Sequence, residues 1–276
     1  MFLVKESVQS YGAMSPFELQ IRYVQTRREF DGNRYDSHVH PQCEIYINLS
    51  GDVSFMVENR IYPIFPGDIV ITRPYEYHHC IYHSNDPHKH FWILFSAGGN
   101  ESMFPRFFER SAGEGNLLSL PSDMQQELVE LCRRMTEESC EGAEQMYRFF
   151  NLIRILNCAD IVTQERASYS KDVQIALEYI NDHFADPMTV SEIARAAHVS
   201  VNTLERHFFE VLHMSPSAYL KKKRLAHAAE CLYGGKSVME SCIDSGFPDY
   251  SNFIATFKKA YGTTPLKYQK SLMENK

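Results

Sequence analysis

Residues 189–219 read TVSEIARAAHVSVNTLERHFFEVLHMSPSAY, and residues 237–268 read SVMESCIDSGFPDYSNFIATFKKAYGTTPLKY. The two stretches carry one pattern. Leu204, Phe208, His213, Pro216 and Tyr219 in the first match Phe253, Phe257, Gly262, Pro265 and Tyr268 in the second, at a constant offset. A repeat of this kind is one supersecondary unit used twice.

Each copy opens on a hydroxyl residue with a glutamate three positions later, Thr189 with Glu192 and Ser237 with Glu240. That is a capping box, which satisfies amide donors left over at a helix start. Behind it Val190, Ile193, Ala194 and Ala197 share one helix face. After a turn at His198-Val199, Ser200 can cap a second helix. That helix buries Leu204 and Phe208 and turns Asn202, Thr203, Glu205 and Arg206 outward. In the second copy Gly246-Phe247-Pro248-Asp249 makes the turn. Tyr250, Ser251, Asn252 and Thr256 then face out, and Phe253 and Phe257 face in. Two short helices about a tight turn, the second with a polar side, follow the helix-turn-helix plan. Such a helix fits the major groove of double-stranded DNA, where Arg206 suits a guanine edge and Asn202 an adenine edge.

Residues 216–233 read as one long helix between the copies, ended by Gly234-Gly235. Its Lys221, Lys222, Lys223 and Arg224 suit phosphate contact. Residues 170–184 form a further helix, stopped by Asp186-Pro187.

These residues resemble the DNA-binding domain of the AraC/XylS family of transcription regulators over about 172–270. Gly246-Phe247, the run Phe257-Lys258-Lys259, and Pro265 with Tyr268 carry the resemblance. It implies two helix-turn-helix units joined by a rigid helix, with base-reading residues at Asn202 and Arg206 and at Tyr250, Ser251 and Asn252. Four positions depart from the pattern. His198 and His213 stand where glycine is usual and must accept a left-handed turn at some strain. Ser241 replaces a core aliphatic residue. Ala255 stands where many members carry an arginine, so the second unit should read bases less sharply.

The net charge of −7 argues at first against DNA, but it is unevenly placed. Thirteen of the 28 Lys+Arg and 12 of the 35 Asp+Glu lie from Lys171 onward, which leaves that part at +1 and the part before it at −8. The seven cysteines form no C-x-x-C pair, which points to a reduced cytoplasmic protein without disulfides. No signal peptide or membrane-spanning apolar run is expected.

The front half reads differently. Residues 1–16 look like an arm without periodicity. From 17 to 115 short alternating strands are separated by Gly, Asn, Pro and Asp, the signal of an all-β sandwich or barrel. His38 and His40 alternate by two and should share a strand face with Glu44 and Tyr46. His78 or His79 follows Pro66-Gly67-Asp68 and Pro74. Two histidines, a carboxylate and a further histidine can hold a divalent transition metal.

This spacing resembles the cupin superfamily, which implies a small double-stranded β-helix barrel. Glu76 departs by standing where many cupins have glycine. Family regulators commonly carry such a barrel as a sensor without metal. The cluster is then open to three uses: a hydrogen-bonded effector wall, a metal site, or a metalloenzyme centre with an attached DNA-binding domain. The DNA-binding half favours the first, with no cofactor required. His90 and Trp92 share a strand face, and a His-x-Trp here resembles the effector pocket of the arabinose-sensing member. A flat indole can stack on a sugar, so a carbohydrate leads the expected effectors, ahead of an aromatic acid or a metal.

Residues 122–138 and 143–163 read as two helices. Leu128, Leu131 and Met135 stripe the first, and Met146, Phe149, Phe150, Leu152, Ile153 and Leu156 the second. This region, 116–163, is the expected homodimer surface, and 164–170 the linker to the DNA-binding domain at 171–276. The whole reading is an all-β cupin-like barrel with helices, then an all-α double helix-turn-helix. It describes an effector-responsive transcription activator that partners DNA and, as an activator, RNA polymerase.

Overall fold

The structure is a computed structural model and describes residues 2–14, 17–27, 39–84, 86–140, 142–163 and 169–274. The chain forms two compact units, the second made almost wholly of residues from Ser168 onward.

The first unit runs β1 (Phe2–Met14), β2 (Phe17–Arg27), β3 (Cys43–Ser50), β4 (Val53–Val57), β5 (Arg60–Ile64), β6 (Ile69–Thr72), β7 (His78–Tyr82) and β8 (His88–Ser96). A short α1 (Pro105–Phe108), β9 (Leu117–Ser119), α2 (Ser122–Glu137), α3 (Ala143–Asn157) and β10 (Asp160–Ile161) follow. The strands form a seven-stranded sheet, β1-β2-β8-β3-β6-β9-β10, and a three-stranded one, β5-β4-β7.

Alternation along the strands divides the side chains between two layers. On β3 and β8, Cys43, Ile45, Ile47, Phe91, Ile93 and Phe95 face away from the small sheet, into a core closed by Leu128, Leu131, Met135, Phe149, Leu152 and Leu156 of α2 and α3. The intervening residues face the small sheet, where Tyr46, Val70 and Leu117 meet Val53, Phe55, Val57 and Ile64. The unit is thus a cupin-like barrel with helices packed on one outer face.

Two expectations change here. Residues 2–14, expected as an arm, form a strand paired antiparallel with β2 from Phe2↔Arg27 to Met14↔Phe17. Strand addition at a sheet edge is made by backbone hydrogen bonds, so it needs no periodic side-chain pattern. The second helix ends at Asn157 rather than 163, because Asp160 and Ile161 return to pair with β9. The apolar stripe, read as broad enough to cover both the barrel and a second subunit, packs on the barrel. Leu128, Leu131, Met135, Phe149, Leu152, Ile153 and Leu156 are all buried, and Met146 and Phe150 pack against the same core.

The second unit is all helical: α4 (Lys171–His183), α5 (Val190–Ala196), α6 (Val201–Leu212), α7 (Pro216–Tyr233), α8 (Val238–Asp244), α9 (Tyr250–Tyr261) and α10 (Pro265–Glu274). Both capping boxes form, Thr189 with Glu192 and Ser237 with Glu240. Ser200 and Asp249 cap the second helix of each pair. The repeat is also one of packing: the Phe208 and Tyr219 rings lie 6.0 Å apart, and their counterparts Phe257 and Tyr268 5.4 Å. His198 and His213 adopt φ 60° and 53°, and the matching Gly246 and Gly262 adopt φ 72°. Ser241 is fully buried, and its hydroxyl donates to Ser237 O at 2.9 Å, which satisfies the polar group that replaces an aliphatic side chain.

Candidate functional site

The inner wall of the large sheet is polar where its outer face is apolar. Pairing sets Arg22 opposite Trp92, Tyr46 opposite Trp92, Asn48 opposite His90 and Glu44 opposite Thr72, all facing the small sheet. The His90 ring stacks on both Tyr46, at 4.7 Å, and His88, at 4.6 Å, which are themselves neighbours at 5.9 Å. The Tyr46 hydroxyl meets His88 Nε2 at 2.5 Å. Trp92 is half-buried against the inner cluster, with the Arg22 guanidinium 5.1 Å from its ring centre.

Burial pushes His88 down to about 4 and His90 down to about 3, so both imidazoles are neutral near pH 7. Burial likewise holds the Tyr46 phenol well above its usual range. Both amide atoms of Asn48, Thr72 Oγ1, His88 Nδ1 and His90 Nδ1 are buried and meet no partner among the described residues. Each such group costs about 1–3 kcal/mol unless something hydrogen-bonds to it. The wall therefore carries buried donors and acceptors that the described residues leave unmet.

At one end of this wall Glu44 gathers two histidines. His40 Nε2 lies 3.0 Å and His78 Nε2 3.1 Å from Glu44 Oε2. The opposite ring nitrogens are tied to backbone carbonyls, His40 Nδ1 to Gln42 O at 3.0 Å and His78 Nδ1 to Glu76 O at 2.7 Å. A carbonyl only accepts, so each Nδ1 donates. Burial alone would raise Glu44, but the charge of His78 and hydrogen bonds from His40 and His78 hold it well below the usual carboxylate range. Burial alone would lower His78, and the Glu44 carboxylate outweighs it and raises it.

The three donor atoms lie within 4.8 Å of one another. Two imidazoles and a carboxylate fit a divalent transition metal, and Nδ1-to-carbonyl bonds are the contacts that orient metal-bound imidazoles. His38, expected as a further ligand, lies outside the described residues. His40 precedes the bend at Pro41-Gln42 that leads into β3 rather than lying on a strand face, and it reaches back across that bend to Glu44. Of the two β7 candidates, His78 joins the cluster. His79 is on the other strand face, its ring 5.7 Å from Tyr77.

One residue that sequence reasoning passed over was within its reach. Asn48 lies on the same alternation as Glu44-x-Tyr46. Thr72 and Arg22 face the wall only through strand pairing, which no local pattern reports.

In the second unit the outer sides of α6 and α9 carry the expected polar residues. Asn202, Glu205, Arg206, Tyr250, Ser251 and Asn252 are exposed. Thr203 and Thr256 are half-buried and play supporting parts. Thr203 shares the cap with Ser200, their hydroxyls 2.8 Å apart, and Thr256 donates to Asn252 Oδ1 at 3.2 Å. Ala255 is exposed and offers no hydrogen bond.

The basic cluster on α7 divides. Lys221 is exposed and Lys222 half-buried. Lys223 is buried, with its ammonium 5.8 Å from the Phe184 ring centre, so it faces inward and is no phosphate contact. Arg224 donates to Phe184 O at 2.7 Å and Asp186 O at 2.8 Å, tying down the carbonyl end of α4. Four consecutive helical residues span a full turn and cannot share one face.

A family model described as an AraC-like ligand binding domain matches residues 24–149, and a helix-turn-helix domain model matches residues 193–271. The thermoregulatory protein LcrF of Yersinia pestis is 20% identical over 241 residues, covering 82% of this chain and 88% of LcrF. The HTH-type transcriptional activator RhaS of Escherichia coli strain SE11 is 23% identical over 249 residues, covering 84% of this chain and 86% of RhaS. Among solved structures, the C-terminal domain of AraT, a response regulator from Geobacillus stearothermophilus, is 30% identical over 38% of this chain and 88% of that one, with a TM-score of 0.37.

Proposed function

This chain belongs to the AraC family of transcription regulators, and from that premise we propose that it activates transcription in response to a neutral, polyhydroxylated small molecule of the sugar class. The observation that carries this reading is the inner wall, where the Asn48 amide, Thr72 Oγ1, His88 Nδ1 and His90 Nδ1 are buried and meet no partner among the described residues. Neutral imidazoles and an amide supply donors and acceptors without net charge, and Trp92 supplies a flat face for ring C–H groups. Arg206 and Asn202 on α6, and Tyr250, Ser251 and Asn252 on α9, read base edges, while Lys221 and Lys222 meet phosphate.

The effector acts by shifting a population between states that hold DNA differently, and it can do so only by binding one of them more tightly. The domain plan is the barrel at 17–115, helices at 116–163 and the DNA-binding domain at 171–276. A homodimer must use surface outside the buried stripe of α2 and α3, and an activator engages RNA polymerase. The seven free cysteines suit the reducing cytoplasm. Among the described residues no helix is long and apolar enough to cross a membrane. No catalytic role is proposed.

Trp92 is the only tryptophan, so its fluorescence reports on this wall directly. Titration with a panel of neutral monosaccharides should give saturable quenching by one of them, and that sugar should change the affinity of the full chain for duplex DNA. No response to any sugar, with a response to carboxylic acids instead, overturns the effector class. A second reading rests on His40, Glu44 and His78. If they hold a metal, the ion would screen Glu44 and organise that end of the wall, and elemental analysis would find it in wild type and not in Glu44→Ala.

A further inference from the structure

Arg206 is the best-placed side chain on α6 for a base edge, and it is not free to wander. Its Nη1 donates to Glu210 Oε1 at 3.1 Å, and its Nη2 donates to His207 Nε2 at 2.9 Å. A guanidinium only donates, so His207 must present a lone pair at Nε2. The neutral ring then carries its proton on Nδ1, which donates to Asp172 Oδ2 at 2.6 Å. Asp172 lies in the first turn of α4, a different helix. The Glu210 contact alone is a surface pair, with the two side chains 62% and 57% exposed, and such pairs constrain little. The His207–Asp172 bond is more sheltered, at 23% and 12%.

We propose that Asp172 and His207 form a positioning relay that fixes the Arg206 guanidinium for base reading. This rests on the reading that α6 reads DNA. The charged groups in contact with His207 are Asp172 from α4 and Arg206 from α6, with Glu210 on the far side of Arg206. His207 and Asp172 are positioning residues, since neither needs to touch DNA.

The test is selection of full-length protein on a library of randomised DNA duplexes. The base position whose preference disappears in Arg206→Ala is the one that Arg206 reads. His207→Leu and Asp172→Asn should reduce preference at that position alone by roughly 3–10-fold, part of what a bidentate contact confers. Affinity for a scrambled duplex should be unchanged, which also shows that the variants fold. His207→Gln, whose amide oxygen can accept from Arg206, should keep the preference. Full preference in His207→Leu, or the same loss in His207→Gln as in His207→Leu, overturns the relay. If Arg206→Ala leaves every position unchanged, the reading of α6 fails before the relay does.

Discussion

Arg110 closes on Glu76 with two guanidinium nitrogens, Nη1 to Oε1 at 2.8 Å and Nη2 to Oε2 at 2.5 Å. The same carboxylate accepts from Gly113 N at 2.7 Å, Arg73 N at 3.0 Å and Asn116 Nδ2 at 3.1 Å. Glu76 stands where the cupin pattern often has glycine. Here it ties the 109–116 loop to the turn that delivers His78. Glu76→Gln takes away the only carboxylate bonded to Arg110 among the described residues and leaves the guanidinium with carbonyl acceptors alone, so the first unit should lose about 3–5 kcal/mol. Urea unfolding followed by Trp92 fluorescence measures it, and a loss under about 1 kcal/mol would make the pair no more than a surface contact.

The same group sets an acid limit. Burial opposes its ionisation, but Arg110 and the amides of Gly113 and Arg73 outweigh burial and hold Glu76 below the usual range. A carboxylate depressed by folding stabilises above its unfolded pKa of about 4.3, and that contribution fades as pH falls further. The stability gap between wild type and Glu76→Gln should therefore be full near pH 7 and shrink below about pH 4. A gap that is constant or grows with acid contradicts this.

Gly246 turns the chain between α8 and α9 at φ 72°, and a Cβ there would lie 2.5 Å from Ala185 O. Backbone on both sides leaves nothing to swing aside. Gly246→Ala should cost about 1–3 kcal/mol in the second unit through strain alone. Thermal unfolding would register it, and an unchanged melting temperature would mean that the turn yields freely.

His198 and His213 occupy the left-handed region without a glycine's freedom. His213→Gly should stabilise the second unit by roughly 1 kcal/mol, the steric penalty that a side chain meets there. Denaturant titration decides, and a destabilised variant would mean that the imidazole makes contacts worth more than its strain.

The division of the α7 cluster is measurable through salt. Lys221→Ala should weaken binding to every duplex alike and reduce the salt slope by about 0.9 for the lost phosphate contact. Lys223→Met should leave that slope unchanged, because the ammonium faces inward. Equal slopes for the two variants would return Lys223 to the DNA surface.

The all-α half was legible because its signals are local. A capping box spans a single turn, a buried Leu or Phe recurs with the helical period, and the landmark series repeats at one offset. Such features need no knowledge of what lies across the fold, and caps, turns and the limits of α7 follow from them. The strands of the barrel were legible for the same reason, through alternation.

What lies across the fold was decided only by tertiary structure. The stripe on α2 and α3 reads equally as a dimer face or an inner face until Phe95 and Ile45 are seen to meet it. Lys223 differs from Lys221 only in the side of α7 it occupies. The pairing of β3 with β8 and β6 brings Asn48, Thr72 and His90 to one wall, and the packing of α4 on α6 brings Asp172 to His207. Local free energy writes caps, turns and alternation into neighbouring residues. Burial and ion pairing depend on residues far apart in the chain, so only the folded arrangement selects among the faces that the local pattern leaves equivalent.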